Sequence, residues 1–96
     1  MPANERLLMD MVEQALIDAG KEFRPFADGP KVKAVAEEAI RQKYYARMAE
    51  KAEPDETPET VAERQRKAFR RSLNAALKAK RLIAVIHESN SVVWLP

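Results

Sequence analysis

The chain reads as a small α+β protein, mainly helical, with a β-hairpin at its C-terminal end. Two observations predict this. Three segments place apolar residues at helical spacing, and two β-branched runs, Leu82 to His87 and Ser91 to Leu95, flank a polar turn. A third observation bears on function. The stretch Arg64 to Arg81 holds eight basic residues (Arg64, Arg66, Lys67, Arg70, Arg71, Lys78, Lys80, Arg81) and no acidic one.

The first helix is expected from about Asn4 to Ala19. Asn4 is a suitable N-cap, and Gly20 stands where a left-handed C′ residue is wanted. Leu8, Val12, Ala15, Leu16 and Ala19 form its apolar stripe. Leu7 and Met11 flank that stripe and make this helix the candidate surface for a homo-oligomer. Lys21 to Lys33 reads as a connection, with Asp28-Gly29-Pro30 as a turn signal and with Phe23 and Phe26 pinned on the core.

Lys31 to Val35 alternates and predicts a short strand. A second helix follows over about Ala36 to Ala49, with Ile40, Tyr44 and Met48 on its buried face. Tyr44 belongs to that face and Tyr45 is expected to be partly exposed. Stacking of Tyr45 on bases is the lesser reading, because aromatic side chains on helices usually pack. Residues 50–58 (EKAEPDETP) are acidic and carry two prolines, which marks a loop with a candidate for mobility. Thr57-Pro58-Glu59 then signals a helix start: a capping hydroxyl, proline at the first helical position, and an acid in the first turn.

The third helix is expected over about Pro58 to Lys80. Ala62, Phe69, Leu73, Ala76 and Leu77 cluster on one side. Arg64, Lys67, Arg71, Asn74 and Lys78 fall within an arc of about 80° almost opposite. The two strands then close around Glu88-Ser89-Asn90-Ser91, and Trp94 is expected to pack back on the helices.

Composition narrows the function classes. Ninety-six residues, 46% hydrophobic and 33% charged, make one small globular domain, residues 1–96. There is no cysteine and one histidine, so neither a disulfide framework nor a metal site is expected. Two glycines leave no room for a Walker A or dinucleotide loop. Glu37/Glu38 and Asp55/Glu56 are neighbours in sequence only, and no nucleophile–base pair stands out, so no enzyme, cofactor or small-molecule ligand is expected. No apolar run approaches membrane-spanning length and no signal peptide is visible, which gives a cytoplasmic expectation and no membrane partner.

The net charge of +2 hides an asymmetry. Residues 1–57 hold nine Lys/Arg against twelve Asp/Glu, and residues 58–96 hold eight against three. Basic side chains often do no more than solvate a helix. Gathered on one element, they also focus positive potential where a polyanion can use it.

The order helix, short strand, helix, helix, strand, strand is that of the winged helix, a variant of helix-turn-helix. The stretch Ala68-Phe69-Arg70-Arg71-Ser72-Leu73-Asn74-Ala75-Ala76-Leu77-Lys78-Ala79-Lys80-Arg81-Leu82-Ile83 resembles the part of winged-helix proteins where a recognition helix ends just before a Leu-Ile strand. The longer pattern GPKVKAV…YY…TPE…AFRRSLNAAL…LIAV…VVWL, from about Phe23 to Pro96, resembles the C-terminal segment of replication ATPases and helicases encoded by bacterial plasmids and prophages. The resemblance implies a DNA-binding module, with double-stranded DNA as partner, acting in plasmid or phage replication or regulation. The third helix would be the recognition helix and the hairpin the wing.

The candidate nucleic-acid residues are Arg64, Lys67, Arg70, Arg71, Asn74, Lys78 and Arg81, with Ser89 and Asn90 at the wing. Arg and Lys suit phosphates, which give affinity without sequence preference. Asn74 and Arg71 have the chemistry for base edges, asparagine for adenine and arginine for guanine. His87 is expected at the surface. The wing has no Lys or Arg and carries Glu88, so its contribution should be small. Two departures stand out from the family pattern. Lys80-Arg81 replaces the usual glycine at the helix–strand junction, which raises the question of a left-handed Arg81. Asp55, Glu56 and Glu59 crowd the start of the third helix and would repel phosphates there. The alternative is a winged-helix protein-interaction or dimerisation module without DNA binding.

Overall fold

In the computed structural model, which describes residues 2–50 and 53–96, three helices and a four-stranded antiparallel sheet share one core. The elements are α1 (Ala3–Ala19), β1 (Lys21–Phe23), β2 (Val32–Ala36), α2 (Glu37–Ala49), α3 (Pro58–Lys78), β3 (Ile83–His87) and β4 (Asn90–Trp94). The strand order is β1-β2-β4-β3. The strand between the first two helices therefore lies beside the last strand of the hairpin, with Ala34 opposite Trp94 and Val35 opposite Val93.

Helix α1 differs from expectation at both ends. It begins one residue earlier with Pro2 at the cap position, and no side chain caps it; Asn4 lies within the first turn. Gly20 is extended, at φ −66° and ψ 139°, not left-handed. Its need for glycine is a close approach: a Cβ there would lie 2.3 Å from the Leu16 carbonyl oxygen. The buried face is Glu5, Leu8, Met11, Val12, Ala15 and Leu16. Met11 is only 2% exposed and belongs to the buried face it was expected to flank, whereas Leu7 is half-buried at its border. Met11 sits three residues after Leu8 and four before Ala15, on the same seam. Ala19, expected to be buried, is exposed where the chain leaves the core for β1.

The short strand β1 was not anticipated within the connection. It pairs with β2 through Lys21–Ala34, Glu22–Lys33 and Phe23–Val32. Phe23 is half-buried, its ring 6.0 Å from Trp94 and 5.1 Å from His87, whereas Phe26 is 66% exposed and not pinned. The expected loop 50–58 includes Lys51 and Ala52, which lie outside the described residues. The remainder contains a turn in which Glu56 N–H donates to the Glu53 carbonyl, 3.1 Å.

Helix α3 starts as its sequence predicts. Thr57 Oγ1 accepts from the Thr60 amide at 3.2 Å and Pro58 occupies the first turn. Its buried residues are Phe69, Ser72, Leu73 and Ala76. Ala62 is exposed, because Pro58–Lys67 carries no buried side chain and runs past the core; Leu77, farther along, packs half-buried against it. The helix ends in a Schellman motif: Arg81 N–H donates to Ala76 O at 2.9 Å and Lys80 N–H to Leu77 O at 3.1 Å. Lys80, not Arg81, takes the left-handed conformation, with φ 60°.

The hairpin turn is tighter than expected. His87 pairs with Asn90, leaving Glu88 and Ser89 as a two-residue loop with φ 50° and 69°. Two positive φ values define a type I′ turn, the form whose twist matches the strands. One buried cluster joins all three helices to β2, β4 and the β3 approach through Val35, Leu82 and Val93. Tyr44 and Phe69, with ring centres 5.4 Å apart, lock α2 to α3.

Candidate nucleic-acid interface

The buried side of α3 determines what its other side can do. Phe69, Leu73 and Ala76 hold the helix against the core. Arg64, Arg66, Lys67, Arg70, Arg71, Asn74 and Lys78 are all exposed. Arg66, Lys67, Arg70, Arg71 and Asn74 line one shallow depression on this face. A second depression, bounded by Asn4, Thr60, Arg64, Lys67 and Arg71, lies between the first turn of α1 and α3.

The basic side chains fall into two groups. Arg64 forms an ion pair with Glu56. Lys67 Nζ lies 3.0 Å from Glu63 Oε1, one turn earlier. That hydrogen bond and the lysine charge hold the Glu63 carboxyl below the usual range. Arg66, Arg70, Arg71 and Lys78 have no carboxylate partner among the described residues. Positive charge without a local counterion therefore concentrates on the C-terminal two-thirds of α3. The acidic segment before Pro58 is turned onto the helix start, where it neutralises Arg64.

Arg81 belongs elsewhere. Its Nη1 donates to Glu5 Oε2 at 2.8 Å, joining the start of α1 to the α3–β3 junction. Glu5 is only 9% exposed, and Arg81 is half-buried. Breaking this pair would strand a largely buried carboxylate, so Arg81 serves the fold. Arg66 is the reverse case. It falls outside the arc projected for the stripe, yet it lines the same depression as Arg70 and Arg71. Its length was the available signal, since a long guanidinium stem reaches around a helix farther than its Cα direction implies.

At the wing, Ser89 lies in the turn and Asn90 opens β4, its Nδ2 donating to the Glu88 carbonyl at 3.3 Å. Both are exposed. Tyr45 is half-buried with its ring centre 6.0 Å from Phe69 and perpendicular to it, so it serves packing. Among the described residues, no helix is long and apolar enough to cross a membrane.

Comparison with protein-family models, with curated proteins and with solved structures gave no match.

Proposed function

We propose that this chain is a winged-helix module that binds double-stranded DNA along the side of α3. The observation that carries the reading is the exposed row Arg66, Arg70, Arg71, Asn74 and Lys78, free of carboxylate partners among the described residues and backed by the buried Phe69 and Leu73. From Arg66 to Lys78 the helix advances about 18 Å. The major groove is about 12 Å wide, so such a row lets both ends reach phosphates while the middle faces bases. Arg71 and Asn74 occupy the middle and are the proposed base readers. Arg66, Arg70 and Lys78 are the proposed phosphate contacts. The acidic, ion-paired start of α3 favours a side-on approach over insertion of the helix tip.

The strand placement β2-β4-β3 supports the winged-helix assignment, with β3 and β4 as the wing. The role is one of binding rather than catalysis. A cytoplasmic setting in plasmid or phage replication or regulation is part of the same proposal and rests on the sequence resemblance alone.

A salt titration of fluorescence anisotropy on duplex DNA tests the binding role. Replacing Arg71 and Lys78 by Ala should weaken binding and lower the salt slope by about one unit per lost contact. Asn74→Ala should relax preference at one base position and leave nonspecific affinity nearly constant. Absence of binding by the wild-type chain at low salt would end the reading. The second reading, a protein-interaction module, is favoured by the exposure of Ile17, Phe26 and Ile86 (75%, 66% and 74%). It predicts association that is insensitive to salt.

A further inference from the structure

We propose that the free edge of β3 pairs with the same edge of a second copy of this chain, antiparallel about Val85. The two edges of the sheet are built differently. The β1 edge is three residues long and charged; Lys21 and Glu22 are two of its three residues, Glu22 pairs with Lys31 at 3.6 Å, and Pro25 follows. Those are the devices that keep sheet edges from pairing. The β3 edge, Ile83-Ala84-Val85-Ile86-His87, has no Lys, Arg, Asp, Glu, Pro or Gly. Ile86 on it is 74% exposed and Ile83 is 38% exposed.

The hairpin fixes the register. A two-residue turn closes on a hydrogen-bonded pair, here His87 and Asn90. Bonded and non-bonded pairs alternate, so Val85 and Ile83 also bond to β4, and the N–H and C=O groups of Ala84 and Ile86 point to the open side. An antiparallel copy must bond through the same two residues. The register that overlaps the strands fully sets Ala84 opposite Ile86 of the second copy and Val85 opposite itself, on the twofold axis.

Side chains agree with that register. Ala84 shares the helix-side face with its cross-strand partner Val93, which is fully buried. Beside Ala84 lies a depression lined by Leu77, Leu82 and Pro96. Ile86 of the second copy, opposite the small Ala84, has that depression to fill. Continuing the register brings Glu88 of the second copy opposite Leu82, at the Lys80–Arg81 end. The Glu88 side chain is 84% exposed, and its one ion-pair partner among the described residues is the His87 imidazole at 3.9 Å; since Arg81 is held by Glu5, the cation it meets is Lys80. Five paired residues make a small contact, of the class below about 1,200 Å² that holds reversible associations.

Sedimentation velocity of the full chain from about 5 to 500 μM tests this, a range that brackets micromolar affinity. The wild type should shift from 10.9 kDa to twice that mass as concentration rises. Ile86→Lys should weaken association at least about tenfold with an unchanged circular dichroism spectrum, since the side chain is solvent-exposed. Glu88→Lys should also weaken it, and Lys80→Glu added to Glu88→Lys should restore it. Amides of Ala84 and Ile86 should gain hydrogen-exchange protection with concentration. A chain that stays monomeric throughout would overturn the proposal. So would a dimer that Ile86→Lys leaves intact and whose Ala84 and Ile86 amides still exchange freely. No nucleic acid enters the measurement, so its outcome is independent of the DNA-binding role.

Discussion

Lys80 holds φ at 60° because the Schellman motif needs a left-handed residue at the turn out of α3. A side chain pays about 1–2 kcal/mol there that glycine does not. Lys80→Gly should therefore raise stability by about 1 kcal/mol, a rise of about 4–8 °C in melting temperature. Calorimetry checks it, and a fall would mean that Lys80 makes a compensating contact. Tyr44 presents a second local cost. It is fully buried and its hydroxyl has no hydrogen-bond partner among the described residues. An unmet buried hydroxyl costs about 1–3 kcal/mol, so Tyr44→Phe should leave urea stability unchanged or increase it. A clear loss would reveal a bound water or another partner at that hydroxyl. Neither position was legible in advance. The motif places the left-handed residue one position before the one suspected, and a tyrosine at a core spacing says nothing about its oxygen.

At the scale of elements, period and punctuation read well where they were strong. Thr57-Pro58 located the start of α3, and the alternation around Val35 located β2. Two elements were obscured. Strand β1 is three residues long, too short for alternation to register, and gains its place from pairing with β2. The hairpin turn uses Glu88-Ser89 where Asn-Gly is the usual signal, so its two-residue length was hidden. The basic stripe was visible as a pattern, but the ion pairs that divide it were not, because partner choice depends on side-chain reach. That division predicts an effect of charge removal. Glu63→Gln should release Lys67 and, under the proposed DNA-binding role, tighten binding and steepen its salt slope by up to about one unit. The same anisotropy titration measures it, and unchanged affinity would place Lys67 outside the contact. The depressed carboxyl also adds stability only above its unfolded pKa, lost as pH falls through the folded value, and Glu63→Gln should flatten that small acid dependence.

Over the whole molecule, the chain is extended for its mass. Its accessible surface is 6610 Å², against about 5,600 Å² for a compact monomer of this size. Its radius of gyration is 14.3 Å, against about 12.5 Å. The excess of basic residues in 58–96 was legible in the sequence, and α3 carries most of them. What the sequence could not convey is that α3 is longer than the core it packs on. The core itself is small and shared by every helix, so a cavity at its centre should be felt throughout. Leu73→Ala should cost about 2–5 kcal/mol in urea unfolding. A loss below about 0.5 kcal/mol would show that Leu73 is peripheral.

The bare first half of α3 also makes the helix a built-in target for trypsin. Pro58–Lys67 is held by the Thr57 cap, the Glu56–Arg64 pair and the bond from Gln65 Nε2 to the Tyr45 carbonyl, 3.0 Å, with no buried side chain to resist fraying. Local opening there precedes global unfolding, so within α3 the peptide bonds after Arg64, Arg66 and Lys67 should be cut well before those after Arg70, Arg71 and Lys78. A polyanion lying along the helix would cover the scissile residues, and its arrival would be read as a lengthening of the chain's half-life in the digest, without any label.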